Sequence, residues 1–221
     1  MIERKHGTVG RYTPGARVNH WLNAIILVLL ALSGMSLFHP ALFFLTGLFG
    51  GGTWARILHP WLGLALLVTF AGLFLRFWRY NLWERLDGVW MRHIGDVVTQ
   101  HEENLPEVGR YNAGQKILFW GMTILILVLV ASGIVMWDAR FGKNFTIEQK
   151  RIAAVVHAAA AVLTIGLWII HVYAAIWVRG TISAMTRGTV SGGWAWRHHR
   201  RWLRALATRG ADDPGRSTTG G

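Results

Sequence analysis

Two histidines, His157 and His171, stand fourteen residues apart inside one uncharged apolar run, Ile152–Val178. A helix that crosses a bilayer needs about 20 apolar residues, so this run reads as one membrane span. Ionisable side chains at that depth are costly and mark a functional site by default. Fourteen residues is close to four helical turns, which puts both rings on one face with a rise of about 21 Å between them. Two other apolar runs carry a histidine near one end, His20 and His59. Neutral imidazole is a common metal ligand. One helix with two histidines, facing two helices with one each, makes two stacked sites with two axial imidazoles apiece. That is the ligation of haem iron that passes electrons and keeps no open position. Each ring alone reads equally well as an interfacial or hydrogen-bonded histidine; the matched set of four favours ligation.

The elements that position these rings follow from charge and hydropathy. Of the residues, 52% are hydrophobic, and four charge-free runs stand out: Val18–Ala55, Ile57–Leu75, Ile117–Trp137 and Ile152–Val178. The first is too long for one span and contains Gly50-Gly51-Gly52, so it divides into a helix of about residues 18–38 and an uncharged outer connection. The spans fall at about residues 18–38, 54–78, 113–137 and 149–178. Eighteen of the 23 Lys and Arg lie in the three segments on one side of these spans, and five (Arg56, Arg140, Lys143, Lys150, Arg151) on the other. By the positive-inside rule both termini are cytoplasmic. His20 and His171 then share the inner depth, and His59 and His157 the outer one. The expected fold is all-α: a multi-pass integral membrane four-helix bundle enclosing two haems, with cytoplasmic N- and C-termini.

The net charge of +12 invites a nucleic-acid reading, but its one-sided placement argues for lipid and excludes nucleic acid as the partner. There is no cysteine, which excludes covalent C-x-x-C-H haem and any iron–sulfur cluster held by this chain. Three regions are expected: a basic lead (1–17), the transmembrane dihaem domain (18–178) and a basic amphipathic tail (179–221). Within the tail, Trp194–Arg209 suits a helix lying on anionic lipid, and Asp212–Gly221 reads as disordered. Val89–Val98 reads as a short interfacial helix, and no internal repeat is evident. Small residues beside the histidines (Gly63, Ala158 to Ala161, Gly166) suit either a flat porphyrin or close helix packing. Arg17 and Arg56, three residues before His20 and His59, are candidates for haem propionates or lipid phosphate. His6, His93, His101, His198 and His199 lie in polar segments and read as solvated, and His39 as structural.

Asn19-His20-Trp21, Arg56-Ile57-Leu58-His59-Pro60, the run from Gly109 through Tyr111-Asn112-Ala113-Gly114-Gln115 to Lys116, and His157-Ala158-Ala159-Ala160 followed by His171-Val172-Tyr173 resemble the gamma subunit, a cytochrome b, of membrane-bound respiratory formate dehydrogenase. The resemblance covers about residues 10–205. It implies that His20 with His171, and His59 with His157, ligate two b haems. It also implies that Asn112, Gly114 and Gln115 border a site for quinone (menaquinone or ubiquinone), beside the inner haem. The implied partners are an iron–sulfur beta subunit and a molybdenum- or tungsten-containing catalytic alpha subunit, with the heterotrimer assembling further.

The residues themselves allow the quinone role. Asn is a favoured N-cap for the third span, Gly114 permits close approach, and the amides of Asn112 and Gln115 can donate to a quinone carbonyl. A plain helix start with a cap and a snorkelling Lys116 fits as well. Electrons would enter at the outer haem, cross to the inner one and reduce quinone on the cytoplasmic side. The alternatives are the cytochrome b of a nickel–iron hydrogenase or thiosulfate reductase and, in another class, a haem-free membrane anchor or transporter.

Overall fold

The computed structural model describes residues 7–99 and 105–212. His6, His101 and residues 213–221 lie outside the described residues, as do the readings made of them. Among the described residues, four helices are long and apolar enough to cross a membrane: α1 (Pro14–Phe38), α2 (Gly52–Phe77), α5 (Ala113–Met136) and α7 (Ile147–Trp177). Between α1 and α2 the uncharged connection forms a 3₁₀ segment, Pro40–Phe49. It ends at Gly50 and Gly51, whose φ of 86° and 101° only glycine adopts without strain. Where one short helix was expected over Val89–Val98 there are two, α3 (Arg85–Arg92) and α4 (Ile94–Val98), broken at His93. The short helix α6 (Asp138–Phe141) precedes α7.

The chain divides into two compact units. One comprises Pro14–Phe77 and Trp120–Trp177, the other Met1–Thr13, Trp78–Phe119 and Val178–Gly221. In the first, Ile26, Leu66 and Ile126 form the buried core, with Leu30, Phe70 and Met122 against it. Val68, Ile124, Leu127, Val155, Val162 and Ile169 point outward and exposed, as a lipid solvent requires. A polar contact joins α1 to α2: Thr69 Oγ1 donates to Asn23 Oδ1 at 3.2 Å, and Asn23 Nδ2 donates to Asn19 Oδ1 at 2.9 Å.

The second unit departs from the all-α expectation. Two three-residue strands, β1 (Thr8–Gly10) and β2 (Thr189–Ser191), pair antiparallel with Val9 opposite Val190. They pack with α8 (Thr181–Thr186), α9 (Gly192–His198) and α10 (Arg200–Asp212) around Ala184, Val190, Ala195 and Trp202. Of the apolar residues that suited a lipid surface, Trp194, Trp202 and Leu203 are therefore turned onto this core, while Trp196 stays exposed. The amphipathic pattern is real, but β1, β2 and α8 cover the apolar face that the sequence offered to lipid.

Candidate functional site

Within the first unit the four histidines meet in two pairs. His20, near the start of α1, and His171, near the end of α7, have ring centres 6.1 Å apart. His59 on α2 and His157, near the start of α7, have theirs 6.2 Å apart. Two imidazoles bound through nitrogen at about 2 Å from one metal ion have ring centres about 6 Å apart. Among the described residues no cluster of three or more His, Cys, Asp or Glu could hold a bare ion. Each pair can offer two imidazoles to one metal centre. A Cβ placed at Gly63, one turn after His59, or at Gly166, between the two α7 histidines, would meet no other atom within 4 Å. Both glycines border open space and not a packed helix.

The His59–His157 pair has partners that the sequence did not identify. Ser33 Oγ on α1 lies 2.8 Å from His59 Nδ1, and Ser132 Oγ on α5 lies 2.9 Å from His157 Nδ1. Each hydroxyl also donates to the carbonyl four residues back, Leu29 at 2.8 Å and Val128 at 2.6 Å. Its proton so used, each oxygen accepts from Nδ1–H, which leaves the Nε2 lone pair free to bind a metal. The next residue is glycine in both places. A Cβ at Gly34 would stand 3.2 Å from His59 Cε1, and one at Gly133 would stand 3.5 Å from His157 Cε1. This Ser-Gly pair, used twice, is a local repeat that the sequence analysis missed.

The second unit holds the start of α5. Asn112 Oδ1 accepts from Gln115 N–H at 2.9 Å, and Gln115 Oε1 accepts from Asn112 N–H at 3.1 Å, a reciprocal capping box. Both oxygens are committed to the helix start, so the amide NH₂ groups are the ones available to a ligand. A Cβ at Gly114 would stand 3.3 Å from the Trp90 ring, the close approach that this glycine permits. Asp87, Trp90, Tyr111 and Asn112 line a shallow cleft.

Lys116 does not snorkel. It is 2% exposed, with Nζ 2.7 Å from Asp87 Oδ2 on α3, an anion within the protein that the sequence did not reveal. Two of the other histidines also differ from expectation. His198 packs on Trp194 with ring centres 5.3 Å apart, and His199 is 1% exposed. His199 Nδ1 donates to the Gly109 carbonyl at 2.8 Å, and its Nε2 faces Arg11 Nη2. Arg11 is 5% exposed and lies over Trp202 at 4.7 Å and Trp194 at 5.2 Å. Burial, with the Arg11 guanidinium beside it, pushes His199 down to about 3, and burial lowers Arg11 as well. His39 is structural as expected: its Nδ1 accepts from Ala41 N–H at the start of the 3₁₀ segment.

Residues 11–188 match the family model described as prokaryotic cytochrome b561. Over 203 residues the chain is 39% identical to the formate dehydrogenase cytochrome b556(fdo) subunit of Escherichia coli (strain K12), covering 92% of this chain and 95% of that one. Over 190 residues it is 40% identical to the nitrate-inducible formate dehydrogenase cytochrome b556(Fdn) subunit of the same organism, covering 86% and 88%. The formate dehydrogenase cytochrome b556 subunit of Haemophilus influenzae is 34% identical over 194 residues, covering 88% and 82%.

Proposed function

The chain belongs to the prokaryotic cytochrome b561 family, and from that premise we propose that it is the cytochrome b subunit of a membrane-bound formate dehydrogenase. Relatives of that name, 34% to 40% identical over most of the chain, support the reading. The observation that carries the haem assignment is the pair of histidine couples, with ring centres 6.1 and 6.2 Å apart.

His20 and His171 would hold an inner haem b, and His59 and His157 an outer one. When bound, the two haems carry single electrons across the bilayer from a partner's iron–sulfur cluster, because this chain has no cysteine to hold a cluster. Ser33 and Ser132 keep the outer imidazoles in the tautomer that ligates iron through Nε2. The large apolar residues of α1, α2, α5 and α7 exclude water from the path. At the start of α5, the NH₂ groups of Asn112 and Gln115 orient a carbonyl of menaquinone or ubiquinone. The helix N-terminus stabilises negative charge that develops there. Reduction of quinone to quinol takes two electrons and two protons, and the protons come from the cytoplasmic side. At 100 mV each electron moves inward against about 2.3 kcal/mol, which the donor's lower potential must supply.

On the likeness to formate dehydrogenase cytochrome b subunits, formate oxidation belongs to a molybdenum- or tungsten-containing partner. A metal and haem inventory of the purified complex, with a reduced-minus-oxidised spectrum, is the test. The expected result is two b haems per chain, both reduced by formate. A colourless preparation would remove the reading, and two haems reduced by hydrogen but not formate would move it to a hydrogenase.

A further inference from the structure

Both histidines of the outer pair are held by serine, each within the same local frame. Ser33 on α1 reaches His59 on α2, 26 residues away; Ser132 on α5 reaches His157 on α7, 25 residues away. Each serine oxygen donates its own proton to a backbone carbonyl, which makes it a better acceptor for Nδ1–H. The glycine after each serine removes the Cβ that would press on Cε1 of the ring. The inner pair has no such clamp among the described residues: Nδ1 of His20 is buried and finds no hydrogen-bond partner.

We propose that Ser33 and Ser132 make the outer haem the lower-potential one of the two, and so set the direction of electron flow from the His59–His157 pair to the His20–His171 pair. An imidazole that donates Nδ1–H to a good acceptor gives more electron density through Nε2 and favours the ferric over the ferrous state. Two such ligands on one iron add in the same sense. One electron then leaves the outer ferrous haem, which becomes ferric, and arrives at the inner ferric haem, which becomes ferrous. No proton moves and no bond breaks. The donor that reduces the outer haem again is the iron–sulfur partner of the proposed function, on which this inference rests.

The serines also fit a plain role in holding the rings, so the test reads potentials and not activity alone. A redox titration of the b-haem spectrum is made on the intact complex. The expected result is two components. His59→Ala removes the lower-potential component, and His171→Ala the higher. Ser33→Ala and Ser132→Ala each shift the lower component upward, by roughly three- to tenfold in its reduction equilibrium, where tenfold is about 59 mV for one electron. Ser33→Thr keeps the hydroxyl and stays near the parent value. The inference is overturned if the component surviving in His59→Ala is the lower one, or if both alanine variants leave the lower component unmoved. Should both alanine variants lose the outer haem, the His59→Ala titration decides alone. Absence of b haem from the parent complex would instead remove the functional reading itself.

Discussion

His199 Nε2 and Arg11 Nη2 lie 3.3 Å apart, and both side chains are buried. Nδ1 of the same ring donates to the Gly109 carbonyl, so Nε2 carries the lone pair and accepts from the guanidinium. The contact therefore requires a neutral histidine. A proton on Nε2 would face Arg11, with Arg110 and His198 also near.

The sign of the pH dependence follows. His199 sits at about 3 in the folded chain against 6.5 for an ordinary histidine. Its contribution is complete above about pH 6.5, where both states are neutral. As pH falls below 6.5 the unfolded chain takes a proton that the folded chain refuses, and about 1.4 kcal/mol is lost per pH unit. Thermal unfolding of the purified protein between pH 7 and pH 5 should show this slope. His199→Gln can keep the hydrogen bonds without titrating and should flatten it; an unchanged slope in that variant would assign the effect to other groups.

The Lys116–Asp87 pair should behave as a buried one. Lys116→Met leaves the Asp87 carboxylate buried and uncompensated, at a cost of about 3–5 kcal/mol. The double variant Lys116→Met with Asp87→Leu should recover a large part of that loss. A cost below about 1 kcal/mol for the single variant, the size typical of an exposed pair, would show that water reaches the site.

Asn112→Ala is expected to lower quinone turnover while both haems remain. The lost cap should also cost about 1 kcal/mol of stability. Haem spectra beside quinone-reduction rates separate the outcomes, since loss of haem would mean that Asn112 holds the fold and not the substrate.

His171→Ala should remove one haem of two and quinone reduction with it, and leave reduction of the remaining haem by the donor intact. Two haems retained in that variant would break the proposed pairing.

Beside His59, Gly34→Val should displace the ring, because even a Cβ would stand 3.2 Å from its Cε1. The expected result is loss or broadening of the outer-haem signal alone. Gly133→Ala, where the Cβ would stand 3.5 Å from Cε1 of His157, should be tolerated. Equal loss in both variants would point to general helix packing.

What the sequence determined by itself was the set of spans, because a bilayer demands about 20 apolar residues and tolerates few charges. The observed α1, α2, α5 and α7 fall within a few residues of the expected bounds. The histidines, and Asn112 as the cap of the third span, were visible as residue types in place; the return bond by which Gln115 closes a box on Asn112 appeared only in the structure. The tertiary structure alone decided what those residues touch. The serine hydroxyls behind His59 and His157 come from other helices, and nothing in a uniformly apolar helix marks which serine faces which ring. The burial of Lys116 and His199, and the pairing of β1 with β2, likewise join segments far apart in the chain, with 188 positions separating Arg11 from His199. Hydropathy reports what a residue prefers as a solvent; only packing decides which neighbour replaces that solvent.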